Sequence, residues 1–318
     1  MKKLSLLLVL SYVSIFATSY QQHWNQMQIE YEMLCNKGAP FLYKDSYLCH
    51  PHWIKAKNNI KQIISGPANP HFVRNQIISN EMVRGGIKSP QIYEISYLKE
   101  CLSPETKLLL NRFNDTDLVG LTKECKEFNC STNTLGHLFY AAKSLEQFKN
   151  KDLTTIVEFG GGYGNLARIF KSILPKATIF LIDLPELLAL QYFFLKATLP
   201  ETTKVIIHAQ APENFEAGAI HLIPHYIVED IKLKTDLFIS TFALSEGSEY
   251  IQKSIIQKKF FDASVCYIVG QLHGWGELNF VNHSNILDTL RKTYQNIDCH
   301  PYHLILDCLH SYEIIGQK

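Results

Sequence analysis

Thr155-Ile156-Val157-Glu158-Phe159-Gly160-Gly161-Gly162-Tyr163-Gly164-Asn165-Leu166-Ala167-Arg168-Ile169-Phe170 decides the reading of this chain. A short run of branched and aromatic residues has the composition of a buried strand. It meets a cluster of glycines. Beyond them Leu166, Ile169, Phe170 and Ile173 recur at the spacing of one helix face, and Pro175 stops that helix. A strand therefore turns into a helix through glycines, which let the backbone pass close to a bound molecule. Asp183 closes the next apolar run, Thr178 to Ile182. An acid at the end of a second strand can accept hydrogen bonds from both ribose hydroxyls of an adenosine cofactor.

The same texture continues to the C-terminus. Short apolar runs at Lys204 to His208, Leu237 to Thr241 and Val265 to Gly270 alternate with helical stretches, the pattern of a parallel sheet. One helix opens at Pro185, where proline suits the first turn, and another is expected around Ile286 to Tyr294. Leu304 to Asp307 and Glu313 to Ile315 read as a terminal antiparallel pair. Five parallel strands plus such a pair is the Rossmann-like α/β sheet of class I methyltransferases. Before Leu153 the chain reads as helical and irregular, broken by Gly66-Pro67, Asn69-Pro70 and Ser89-Pro90. The expected organisation is an N-terminal leader or anchor over 1–19, a helical region over 20–150, and the cofactor-binding domain over 151–318.

Gly162-Tyr163-Gly164-Asn165-Leu166-Ala167 also fits the glycine pattern of nicotinamide-dependent oxidoreductases. Glu158 argues against that cofactor, because a carboxylate just ahead of the glycines repels a pyrophosphate and holds an ammonium. The late position of the loop argues the same way, and the Leu184-Pro185-Glu186 that follows Asp183 resembles a run found in methyltransferases. IVEFGGGYGNLARIF, followed by FLIDLPELLALQYFFL, resembles the sugar O-methyltransferase family. Ser131-Thr132-Asn133-Thr134 and the run from Leu237 to Glu246 are similar to other segments of that family, so the likeness spans roughly residues 130–250. The resemblance implies S-adenosyl-L-methionine as methyl donor and a saccharide hydroxyl as acceptor. By position it implies that Glu158, Gly160, Gly162 and Gly164 line the methionyl and adenosyl groups. Asp183 would take the ribose, and Leu184 would lie against the adenine.

An alcohol needs a base before it attacks a methyl group. Useful bases stand at the carboxyl ends of strands, which makes Glu246, after the fourth predicted strand, and His273, after the fifth, the candidate catalytic residues. His221 and His225 fall in a predicted loop and rank below them. No spacing of acids and histidines suggests a metal. Lys+Arg of 31 against Asp+Glu of 30 gives a net charge of +1, without the basic excess of a duplex-tracking nucleic-acid binder.

Lys2 and Lys3, the apolar run Leu4 to Phe16 and the small residues Ala17-Thr18-Ser19 have the three parts of a cleavable signal peptide. The rival is a membrane-surface anchor. Export conflicts with a cofactor made in the cytosol, so a second reading stays open: an exported, non-catalytic binding or effector protein that keeps the methyltransferase fold. The 8 cysteines all follow the expected cleavage site, and their even number permits disulfides in an exported chain, although most are expected as buried or free thiols.

Overall fold

The computed structural model describes residues 19–37, 51–69, 71–82, 91–148, 152–271, 283–302 and 311–318. Its centre is a sheet whose strands are β1 (Thr155–Phe159), β2 (Thr178–Asp183), β3 (Val205–Ile207), β4 (Ile220–Pro224), β5 (Leu237–Thr241), β6 (Val265–Gln271), β7 (Asn296–Pro301) and β8 (Ser311–Gln317). The spatial order is β3-β4-β2-β1-β5-β6-β8-β7. Strands β3, β4, β2, β1, β5 and β6 pair in parallel, while β8 runs antiparallel to both β6 and β7. This is the expected Rossmann-like sheet, widened by one strand.

That extra strand corrects the sequence reading. The sequence reading leaves Ile220–Pro224 in a loop, whereas it pairs with all of β2 but its first residue, from Ile179↔Ile220 to Asp183↔Pro224. The terminal pair also differs. Its first member is β7, Asn296–Pro301; the expected strand Leu304 to Asp307 lies wholly outside the described residues.

The central strands are buried on both faces, and their residues alternate between two cores. Ile156, Ile179, Leu181, Leu237, Ile239, Tyr267 and Val269 belong to one core cluster. Val157, Phe159, Phe180, Ile182, Phe238 and Ile268 belong to the other. The helices in chain order are α1 (residues 19–37), α2 (Pro51–Ile64), α3 (Gln76–Met82), α4 (Ile92–Ser96), α5 (Pro104–Leu110), α6 (Thr132–Leu145), α7 (Asn165–Ile173), α8 (Pro185–Thr198), α9 (Ala243–Glu246), α10 (Glu249–Gln257) and α11 (His283–Thr293). Helix α6 shares the first core with α7, through Leu135, Leu138, Phe139, Leu166, Ile169 and Phe170. Helices α1 to α3 pack on α8. Trp24, Met27 and Tyr31 meet Leu187, Leu190 and Phe193 in a third cluster, which also takes in Tyr163 of the glycine loop. Burying a side chain of that size contributes roughly 2–3 kcal/mol, so these helices hold the loop from outside the sheet.

Candidate functional site

The sheet reverses direction of winding between β1 and β5, and the glycine loop leaves the carboxyl end of β1 at that point. In open α/β sheets ligands bind in the crevice at such a switch. The alternation places Glu158 on the same face as Ile156, and Asp183 on the same face as Ile179 and Leu181. Because Glu158 pairs with Leu181, the two acids are diagonal neighbours on one face. Both are buried, at 3% and 7% exposure. Burial pushes the Glu158 carboxyl up to about 8; the charge of Asp183 adds to the rise and the Ala167 backbone N–H opposes it. Burial likewise pushes Asp183 up to about 7 against several donors. Oε2 of Glu158 is buried with no hydrogen-bond partner.

Asp183 is engaged by the protein itself. Its Oδ1 accepts the Leu184 N–H at 2.8 Å and its Oδ2 accepts the Gln191 amide at 2.7 Å. The N–H groups of Gly161 and Gly162 also point at it. The same Gln191 amide reaches the Gly162 carbonyl at 3.0 Å. Asp183 and Gln191 thus fasten the glycine loop to the start of α8. Leu184, expected against an adenine, is 9% exposed and packs among Leu187, Leu190 and Tyr163. Gln191 was not among the candidate residues. Its signal in the sequence is an amide in the middle of the apolar run Leu187 to Leu195.

The glycines have different reasons. Gly160, Gly162 and Gly164 all have positive φ, at 78°, 55° and 95°, which favours glycine. A Cβ on Gly160 would overlap that of Ala243, while one on Gly162 would meet only the Cβ of Met82, at 3.8 Å. Gly160 is therefore required by packing, and Gly162 leaves open space.

Ser131-Thr132-Asn133-Thr134 begins α6 and closes over the loop. Ser131 caps the helix by accepting the Thr134 N–H at 3.1 Å. Asn133 Nδ2 donates to the Tyr163 hydroxyl at 2.8 Å, and Asn165 Nδ2 donates to Thr134 Oγ1 at 3.2 Å. Asn165 also sets a histidine. Its Oδ1 accepts from Arg168 Nε at 3.0 Å, which fixes the amide, so its Nδ2 faces His137 Nδ1 at 3.0 Å. Neutral His137 then carries its proton on Nε2. Arg168 is itself buried and paired with Asp115 at 2.7 Å, its side chain 3% exposed and that of Asp115 5%. Asp115 Oδ2 accepts the Ser131 N–H at 3.1 Å and Glu124 Oε2 accepts the Thr132 N–H at 3.2 Å.

No protein-family model matches the chain, and no curated protein matches it. Solved structures do. The methyltransferase domain of bacterial CtHen1 superposes with a TM-score of 0.39 at 13% identity, covering 57% of this chain and 96% of that one. Mitomycin 7-O-methyltransferase MmcR gives a TM-score of 0.35 at 12% identity, covering 59% of this chain and 57% of that one. An O-methyltransferase family protein from Burkholderia thailandensis gives 0.36 at 11% identity, with coverage of 58% and 60%.

At the far side of the crevice, Phe242 follows β5 with φ 69° and ψ −37°, a strained conformation for an aromatic residue. It is held there: its N–H donates to the Val269 carbonyl at 2.6 Å and its carbonyl accepts from Ser245 Oγ at 2.7 Å. Ser245 Oγ in turn accepts the Gln271 N–H at 3.2 Å. The bend starts α9 against Gly160 and ends it at half-buried Glu246. His273 lies outside the described residues. His221 is not in a loop: it sits in β4, 1% exposed, stacked on Phe180 and bonded to His208 Nε2 at 2.9 Å and the Glu216 carbonyl at 2.9 Å. Its surroundings are those of a core residue. His225 is buried just beyond β4, next to Pro224, which pairs with Asp183. Among the described residues no group of acids, histidines and cysteines could hold a metal ion.

Proposed function

We propose that this chain transfers the methyl group of S-adenosylmethionine to a saccharide hydroxyl. One observation carries the cofactor reading: Glu158 Oε2, buried and without a hydrogen-bond partner, shares its sheet face with Asp183 beneath the glycine loop. Two buried carboxyls side by side are costly unless a cation joins them. A pyrophosphate brings no positive charge to two acids that burial disfavours as anions, whereas a ligand with an ammonium and a sulfonium would pair with their ionised form. When bound, S-adenosylmethionine supplies a methyl group activated on positively charged sulfur.

In this reading Glu158 holds the ammonium, and the backbone of Gly160 to Gly164 lines the cofactor. Leu184 and His225 border the adenine. Asp183 contributes chiefly by holding Gly161 and Gly162 in place, and a ribose hydroxyl would share or replace the bond from Gln191. Glu246 and His273 remain the proposed bases for the acceptor hydroxyl. Support for Glu246 comes from the rigid bend at Phe242, which fixes α9 beside the loop, since positioning supplies much of the acceleration in methyl transfer. The saccharide assignment rests on the likeness of the segments over 130–250 to the sugar O-methyltransferase family. We read Lys2 to Ser19 as a cleaved leader, to be checked by N-terminal sequencing of the native protein; an intact Met1 or Lys2 in a membrane fraction would discard it.

The decisive experiment is thermal denaturation with S-adenosylmethionine or with NAD. A ligand present at 100 times its Kd stabilises by about 2.7 kcal/mol, so the former should raise Tm by several degrees and the latter should not. A shift with NAD alone would reject the assignment.

A further inference from the structure

Cys125 and Cys130 are the only described cysteines that stand opposite one another on the backbone. They form an isolated antiparallel bridge, with Cys125 N–H donating to the Cys130 carbonyl at 3.0 Å and Cys130 N–H to the Cys125 carbonyl at 3.2 Å. Residues exchanging both bonds in this way lie about 5.5 Å apart at Cα, and their side chains leave on one side of the ribbon. Disulfides occupy the same interval, about 4.4–6.8 Å. The two thiols also interact with each other. The intervening turn, residues 126–129, is closed by Asn129 in the left-handed region at φ 47°, so the pairing does not depend on a covalent bond. Cys35, Cys101, Cys266 and Cys299 lie on other elements.

We propose that Cys125 and Cys130 form an intrachain disulfide when the chain folds in an oxidising compartment, and that this bond locks the turn that anchors the start of α6. Both thiols are buried, at 0% and 1% exposure, so the bond forms as the chain folds rather than on the finished protein. A thiolate of one cysteine attacks a low-molecular-weight disulfide such as glutathione disulfide, releasing one glutathione thiolate. The second cysteine thiolate then displaces the other. Two protein thiols are oxidised and one glutathione disulfide is reduced, and the two protons lost by the cysteines are taken up by the two departing glutathione thiolates.

The bond matters beyond its turn. Glu124, adjacent to Cys125, accepts the Thr132 N–H, and Ser131, adjacent to Cys130, is held by Asp115 and caps α6. Asn133 and Thr134 of that helix then hold Tyr163 and Asn165 of the glycine loop. A reduced pair leaves this clamp to noncovalent contacts alone. The proposal does not rest on the methyltransferase reading.

The test uses the full chain refolded in a glutathione redox buffer, and in parallel the soluble protein purified without reductant. Each is denatured, alkylated without reduction and digested with trypsin, which cuts after Lys126 within the turn. The expected product is the peptide carrying Cys125 joined to the one carrying Cys130, separating on reduction. Tm should fall by about 4–8 °C when reductant is added, and the Cys125→Ser/Cys130→Ser double variant should match the reduced protein and ignore reductant. Either cysteine recovered alkylated in both samples, or joined to a third cysteine, overturns the proposal.

Discussion

Glu158→Gln should make the ligand-free protein more stable and nearly unable to bind its cofactor. The wild-type carboxyl is raised from its ordinary 4.5 to about 8 by burial and by Asp183. The folded state therefore keeps a proton that the unfolded chain has released, across the window from about 4.5 to 8. Stability from this group is fully present below 4.5 and is lost as pH rises through 8. At ~1.4 kcal/mol for each tenfold change in proton affinity, the charged form costs at most about 5 kcal/mol. Relaxation around the site and the polarity of the new amide reduce that, so we expect a gain of about 2 kcal/mol at pH 9 and none at pH 5. For a chain of this size the gain corresponds to a Tm about 5 °C higher. Scanning calorimetry of both proteins at the two pH values measures it. Calorimetric titration with S-adenosylmethionine in buffers of different ionisation enthalpy should show the wild type releasing protons on binding near pH 7, as the cation drives the buried acids to ionise. The variant should bind at least 100-fold more weakly, a loss of about 2.7 kcal/mol. An unchanged or lower Tm at pH 9, or full affinity in the variant, would refute the claim that a buried carboxyl pair awaits a cation.

Asp183→Ala should weaken S-adenosylmethionine binding by roughly 1.5–3 kcal/mol, and Gln191→Leu should lose most of the same amount in a titration, because both fasten the loop; an inert Gln191→Leu would return Asp183 to a purely ribose-binding role. Gly160→Ala should lower Tm sharply through its overlap with Ala243, whereas Gly162→Ala should remain folded at a cost of about 1 kcal/mol from its positive φ and lose cofactor affinity. Asp115→Ala should destabilise by about 3–5 kcal/mol in urea unfolding, since it strands the buried Arg168 charge. Glu246→Gln or His273→Ala should reduce turnover about 100-fold at near-normal cofactor affinity if either is the base; unaltered turnover in both would place the base on another element.

The parts legible in the sequence were those where backbone geometry admits few residues. Gly160, Gly162 and Gly164 sit at positive φ between a strand and a helix, and that demand is written directly as glycine. The alternation of Ile156, Val157, Glu158 and Phe159 between two buried faces follows from the pleat. Strand β4 is illegible because His221 interrupts its apolar run, and its partners His208, Phe180 and the Glu216 carbonyl, which make a buried imidazole acceptable, come from elsewhere in the chain. Strand β7 was misplaced because it is an edge strand and largely exposed; its polar residues give no buried alternation, and the more apolar Leu304 to Asp307 drew the assignment. The bond from Gln191 to Asp183 depends on how α8 lies across the loop, which no spacing within one helix encodes. Asn165 orienting His137 is hidden for the same reason, with 28 positions between the partners.

The meeting of Gly160 with Ala243 bears on how such a scaffold can diversify. New acceptor preferences arise most readily where loops at the carboxyl edge vary freely. Here the turn after β5 is not free: the methyl group of Ala243, its second residue, occupies the space that a side chain at Gly160 would need. The two positions can change only together, so larger side chains for a different acceptor must enter further along, beyond Glu246. A library that randomises position 160 with Ala243 kept should return glycine almost alone.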